Sequence, residues 1–270
     1  MERIEMLNEF YSTVNEDERL GKTRQGQLEY RVTMHFIHRF LRQGDSVLEL
    51  GAGTGRYSVA LAKEGARVSA VELVESNFEK LKENAKGLDD LQAFRGDALD
   101  LSRFADGAFD MTLVFGPMYH LYAEADRRKA LDEAVRVTRP GGIILAAFLS
   151  AHAIICTNYL YNWRPVTVGL AENFDKDYNT KHFKEQLFTG YDVREFEDMF
   201  EGRPVEHITT AAVDNVLEIA QKSADFRMSD EDFEAFADYQ IHICEKREML
   251  GNSSHLLYIC RKSDKKENNR

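Results

Sequence analysis

Three glycines at alternate positions, Gly51, Gly53 and Gly55, follow the run Val47-Leu48-Glu49-Leu50 without a break. A buried-strand pattern thus meets a turn, and a helical pattern begins directly beyond it. Glycine lets the backbone turn sharply and lets a ligand approach where a Cβ would block it. The helix opening after Gly55 aims its free N–H groups at the same spot, and open α/β sheets bind ligands at such carboxyl-terminal strand ends. The dinucleotide pattern G-x-G-x-x-G, which cradles a pyrophosphate, is spaced differently. With Glu49 beside the turn, a polar, nucleoside-like cofactor without phosphate fits better.

Two further acids stand at the ends of strand patterns. Glu72 ends the short strand pattern Arg67 to Val71, 21 positions beyond Gly51. A carboxylate there can accept two hydrogen bonds from a ribose diol, unless it is simply a solvated acid. Asp97 follows the strand pattern Leu91 to Arg95, with Asp100 three positions on as a competitor that could cap a short helix. Strand Phe109 to Phe115 then runs into Gly116-Pro117-Met118-Tyr119-His120-Leu121, and Arg136-Val137-Thr138-Arg139-Pro140-Gly141-Gly142 precedes the apolar strand Ile143 to Leu149.

These motifs, in this order from Val47 to about Leu149, resemble the class I S-adenosylmethionine-dependent methyltransferases, and the Gly-Pro-Met-Tyr-His-Leu stretch looks like the small-molecule type found in bacteria. The resemblance implies S-adenosyl-L-methionine as cofactor and S-adenosyl-L-homocysteine as product. It places Glu49 near the amino end of the methionine part, Glu72 on the ribose, Asp97 on the adenine amino group and the Ala98 N–H on a ring nitrogen. Gly51, Ala52, Gly53, Gly55, Leu73, Phe115 and Gly116 would complete the cofactor wall.

Methyl transfer is an in-line displacement, so positioning does most of the work, and a base is needed only where the nucleophile carries a proton. Tyr119 and His120 fall at the sheet edge that carries the glycine turn. An imidazole with a pKa near 6.5 could take a proton from a hydroxyl, thiol or ammonium group, or His120 could serve only to cap a helix or bind a backbone carbonyl. The chain has no Asn/Asp-Pro-Pro-Tyr/Phe after the fourth strand, no Pro-Cys pair and no metal-ligand spacing, so no metal is expected.

Positioning requires a scaffold. Ile4, Leu7, Phe10, Tyr11 and Val14 recur at helical spacing, as do Leu28, Val32, Phe36, Ile37, Phe40 and Leu41. Two such helices ahead of the first core strand either pad the sheet or form a lid that turns Tyr11, Arg24 and Tyr30 toward the substrate. Residues 150–200 hold ten of the 29 aromatic residues, more than a plain surface insertion needs. They form a satellite core or line a substrate pocket, with Tyr159 and Trp163 as the contacts. Strand patterns at Val205 to Val213 and His255 to Arg261 flank a helix capped by Ser229 with Asp232. The expected fold is α/β, a Rossmann-like doubly wound sheet of seven strands. It divides into an N-terminal helical lid (1–43), the cofactor-binding core (44–149), an inserted substrate or lid region (150–202), a segment completing the sheet (203–263) and a disordered tail (264–270).

Composition narrows the partners. A formal charge of −11 argues against a broad nucleic-acid footprint, and no run of about 18 apolar residues could span a bilayer. Three dispersed cysteines and a charged N-terminus without a signal peptide point to a reducing, cytoplasmic setting. The sequence therefore reads as a methyltransferase acting on a small molecule. The alternatives are an RNA or protein methyltransferase, and a non-catalytic nucleotide-type module or NAD-type oxidoreductase.

Overall fold

The computed structural model describes residues 3–161 and 164–263, so Trp163 and the 264–270 tail lie outside the described residues. The chain opens with helices α1 (Arg3–Tyr11), α2 (Arg19–Lys22) and α3 (Arg24–Phe40). Thr23 caps α3 by accepting a hydrogen bond from the Gly26 N–H. Leu28, Val32, Phe36 and Ile37 return at helical spacing on one face of α3 and are fully buried against the sheet. By contrast, α1 buries only Leu7.

Alternating strands and helices follow: β1 (Ser46–Leu50), α4 (Arg56–Lys63), β2 (Arg67–Glu72), α5 (Glu75–Asn84), β3 (Leu91–Arg95), β4 (Phe109–Val114), α6 (Pro117–His120), α7 (Glu124–Val137) and β5 (Thr138–Ser150). All pairings among β1 to β5 are parallel. β5 begins at Thr138, ahead of the expected Ile143, because the Thr138 hydroxyl bridges the Ala134 carbonyl and the Thr112 hydroxyl and starts the pairing early. A register shift between Phe109 and Met111 absorbs the Pro-Gly-Gly that follows.

The remaining elements are α8 (Ala151–Ile155), a π-helical turn (Cys156–Leu160), α9 (Val166–Asn173), β6 (Gly190–Tyr191), α10 (Val193–Asp198), β7 (Val205–Ala212), α11 (Leu217–Ala220), α12 (Asp230–Ile243), α13 (Arg247–Leu250) and β8 (His255–Lys262). The sheet order is β3-β2-β1-β4-β5-β8-β7, with β6 paired to the end of β5. The sheet has eight strands instead of seven; the extra one is the two-residue β6, too short to leave a period-two pattern. β8 runs antiparallel to both β5 and β7. His255, the first residue of β8, therefore stands opposite Leu149 at the carboxyl edge of the parallel strands.

Two apolar layers sandwich the sheet, one with α3, α4 and α12, the other with α7 and α10. A third, small cluster holds Ala151, Ile155, Tyr159 and Phe174. Among the described residues no helix is long and apolar enough to cross a membrane.

Candidate functional site

The glycine turn has the backbone its sequence requires. Gly51, Gly53 and Gly55 all have positive φ, at 72°, 56° and 89°. A Cβ on Gly51 would stand 2.7 Å from Pro117 Cδ and 3.0 Å from the Phe115 carbonyl oxygen, so this glycine lets the β1 and β4 loops touch. Gly55 precedes α4, where a Cβ would strike Leu81. It shapes the turn from behind, away from the cavity in front.

That cavity, of about 700 Å³, lies at the carboxyl edge of the sheet. Gly51, Gly53, Glu72, Leu73, Asp97, Ala98, Phe115 and Gly116 all line it. Glu72 is buried, and its two oxygens accept the Gly53 and Val74 N–H groups, each at 2.7 Å. Burial nevertheless pushes its carboxyl up to about 7, against those hydrogen bonds. Asp97 accepts the Leu99 N–H at 3.1 Å and is paired with Arg3 of α1.

Glu49 and Ala52 line a smaller adjoining cavity of about 60 Å³ that shares Gly51, Gly53 and Phe115 with the larger one. Ser58 of α4 donates its hydroxyl to Glu49, yet burial raises that carboxyl to about 7 as well. Two buried carboxyls thus sit beside the turn with their charge poorly compensated, a setting that accepts hydroxyl and ammonium donors and rejects phosphate.

α6 presents Tyr119 and His120 to the other end of the large cavity. The His120 Nδ1 lies 2.6 Å from the Leu187 carbonyl oxygen, so it must carry the proton and donate. Nε2 then accepts from the Tyr11 hydroxyl at 3.0 Å. Burial holds the ring neutral, with a pKa near 4, despite the Leu187 contact. Both ring nitrogens are committed, and the ring locks α1 against the loop before β6.

Of the other described residues expected to meet substrate, only Tyr11 is on the cavity wall. Arg24 turns the other way: it pairs with Asp230 at 2.5 Å and stacks over Phe233, fastening α3 to α12. Tyr30 stacks on Tyr57 beneath Arg56, on the outer side of the glycine turn. Tyr159 belongs to the satellite cluster, its hydroxyl bound to Glu172 at 2.6 Å. The cavity instead receives Ala153, Ile154, Thr157 and Asn158 from that segment, and Phe188 after it.

The structure adds a polar cluster that the sequence reading passed over. Arg19 makes a bidentate pair with Glu29, at 2.8 and 3.0 Å, and donates its Nε to Glu16 at 2.8 Å. Beside it the His255 Nδ1–H donates to Asp214 at 2.7 Å. The other Asp214 oxygen accepts the Ser253 hydroxyl and the Ser254 and His255 N–H groups. Burial disfavours the charged imidazole, but Glu29 and Asp214 outweigh it and raise His255 to about 9. The same partners hold Glu29 and Asp214 below the ordinary carboxylate range against their own burial. The one available signal was topological: the first residue of a strand antiparallel to β5 lands at the ligand-binding edge.

Residues 47–142 match a family described as the methyltransferase domain. The match agrees with the resemblance to class I S-adenosylmethionine-dependent methyltransferases that the motifs in this segment carry. A demethylmenaquinone methyltransferase from Clavibacter sepedonicus is 41% identical over 103 residues, covering 38% of this chain and 40% of that protein. One from Paenarthrobacter aurescens is 34% identical over 152 residues, covering 56% and 55%. The chain thus spans about half the length of these relatives. The structure of the 1,6-didemethyltoxoflavin-N1-methyltransferase from Burkholderia thailandensis, with bound 1,6-didemethyltoxoflavin and S-adenosylhomocysteine, aligns at a TM-score of 0.58. It covers 96% of this chain and 88% of that one at 14% identity, which shows that the methyltransferase fold extends beyond the matched domain. Among the described residues no group of three His, Cys, Asp or Glu side chains is placed to hold a metal.

Proposed function

We propose that this protein methylates a small organic molecule with S-adenosylmethionine, in the cavity at the carboxyl edge of β1 to β5. The observation that carries the reading is the placement of Gly51, Gly53, Glu72 and Asp97 on one wall of a cavity of about 700 Å³, within the range of ordinary ligand pockets. The residues present fit the cofactor: the buried Glu49 and Glu72 and the half-buried Asp97 can accept ribose and amino donors, and the glycine turn leaves its backbone accessible. Glu72 would accept the ribose hydroxyls, Asp97 the adenine amino group, and Glu49 would act on the methionine end through the adjoining small cavity. When bound, S-adenosylmethionine supplies an electrophilic methyl group on a sulfonium.

The chain's own contribution is to bind, orient and exclude water. Helices α1 and α2, within the first 43 residues, act as a lid, since Arg3, Leu7, Tyr11 and Arg19 cover the cavity. Residues 150–202 give one wall to the acceptor and bury Tyr159, Phe174, Tyr191, Phe196 and Phe200 elsewhere. The small-molecule reading is supported by the partly closed apolar cavity, by the net charge of −11 and by the names of the relatives. A reducing, cytoplasmic setting belongs to the same proposal, in keeping with three free cysteines.

Calorimetry with S-adenosylmethionine, S-adenosylhomocysteine and NAD tests the cofactor. Micromolar binding of the first two and none of NAD is expected, and the reverse preference would end the reading. A mass-spectrometric screen for a 14-dalton gain over phenols, quinols, amines and heterocycles, run beside tRNA and protein extracts, then tests the acceptor class.

A further inference from the structure

We propose that the Asp214–His255 pair forms the acceptor-binding end of the cavity and takes an acidic hydroxyl group, a phenol or an enol, as its anion. The inference depends on the methyl-transfer reading only for which end the acceptor occupies. The glycine turn and the acids Glu72 and Asp97 belong to β1, β2 and β3. The opposite half of the cavity is built from α6 after β4, the end of β5 and the start of β8, where Tyr119, Leu149, Ser150, Ser254 and His255 meet.

The His255 ring lines both cavities, and its Nε2 makes no hydrogen bond among the described residues. The groups facing it are Asp214 from the turn after β7, Glu29 from α3, Arg19 from α2 and the Tyr119 ring from α6. Glu29 and Asp214 keep the imidazole protonated at neutral pH against its burial and the Arg19 charge, so Nε2–H is a charged donor on a residue that lines this end. An imidazolium cannot take a proton from an ammonium, and the positive ring repels one. An amine acceptor is therefore disfavoured.

A carboxylate would call for a two-pronged donor such as a guanidinium. The Arg19 guanidinium is already committed to Glu29 and Glu16. A single N–H matches a single oxygen. The cavity wall, with Leu7, Phe10, Leu149, Ile154 and Phe188, suits an apolar or aromatic body carrying that oxygen. Binding then proceeds with proton balance: the hydroxyl O–H bond breaks, its proton leaves to bulk water, and the oxyanion accepts the hydrogen bond from Nε2–H. The ring keeps its own proton.

The probe is 4-nitrophenol, whose anion has its own visible absorption band, titrated with and without saturating S-adenosylhomocysteine. Bound to the wild type, it should ionise with an apparent pKa lowered by about one unit or more, a tenfold change in ionisation. In His255→Asn the shift should vanish and 4-nitrophenol binding should weaken by at least tenfold, both with and without S-adenosylhomocysteine. No shift in the wild type, an equal shift in the variant, or tighter binding of benzoate or benzylamine would each overturn the proposal. Loss of S-adenosylhomocysteine binding would instead sink the methyltransferase reading, while the titration without it still reads the His255 site alone. Should the variant not fold, the ring nitrogen NMR signals of wild-type His255 decide: 4-nitrophenol should move them and benzylamine should not.

Discussion

At the scale of single residues, the site is governed by three ionisable groups whose surroundings shift them differently. Glu72 sits near 7 because its charged form lacks enough donors, and ribose hydroxyls would add two. Cofactor binding should therefore release protons, so affinity should rise with pH up to about 7 and then level off. Calorimetry at pH 6.5 in two buffers of different ionisation heat should show this release, and Glu72→Gln should diminish it. Glu72→Ala should weaken binding by roughly 1.5–3 kcal/mol for each charge-assisted bond lost. His120 is tied at both nitrogens and titrates near 4, which makes it a poor base at neutral pH. His120→Asn should cost roughly 1–3 kcal/mol of stability by leaving buried partners unpaired. It should leave the rate without a lost inflection near pH 6.5; a turnover loss of 10²-fold or more with the fold intact would restore the catalytic role. For His255 the folded pKa of about 9 lies above the ordinary 6.5. Its contribution is fully present below about pH 6.5 and is lost as pH rises through 9. Thermal melts of the wild type should fall across that window, and those of His255→Asn should be flatter.

At the scale of elements, two contacts between loops and helices set the cavity's shape. Gly51 is where the β1 turn and the β4 turn touch, and a methyl there meets Pro117 and the Phe115 backbone at a positive φ. Gly51→Ala should destabilise the protein by about 1–3 kcal/mol through strain alone, and it should weaken S-adenosylhomocysteine binding further by spreading the turns. Helix α1 is held differently. It buries one residue and is anchored by Arg3 to Asp97 and by Tyr11 to His120. So small a buried area predicts local opening at low free-energy cost. Amide exchange in α1 should be fast in the free protein and at least tenfold slower with S-adenosylhomocysteine bound. Equal protection in both states would remove the lid from the account.

At the scale of the whole molecule, the parallel half of the sheet and the antiparallel half divide the labour. β1, β2 and β3 carry the glycines and acids, whereas β5, β8 and the chain between them bring in the far end of the cavity. The net charge of −11 sets the long-range field, and phosphate polymers bind chiefly through neutralisation by Lys and Arg. No appreciable binding to bulk tRNA or duplex DNA is expected at physiological salt. Submicromolar binding with a steep salt dependence in a filter assay would move the acceptor class to RNA.

The sequence by itself determined whatever depends on neighbours along the chain. The strand-turn-helix at Gly51 to Gly55, the acids at the ends of β2 and β3, and the Pro-Gly-Gly before the apolar stretch of β5 are local patterns, and local backbone physics fixes them. The Ser229 cap of α12 was legible for the same reason: its hydroxyl accepts the Asp232 N–H three residues on. Tertiary structure decided what depends on which way a side chain turns and what it meets far along the chain. Arg24 lies at the start of a helix whether it faces substrate or Asp230, and only the docking of α12 chose Asp230. Tyr159 and Ile154 belong to one segment, yet packing buried Tyr159 in the satellite core and left Ile154 at that core's edge, on the cavity wall. His120 carries a chemical group suited to catalysis, but its partners Tyr11 and Leu187 lie 109 and 67 positions away. Asp214 and His255, 41 positions apart, meet because β8 runs against its neighbours, and pairing direction is a property of the folded sheet that no single stretch of residues encodes.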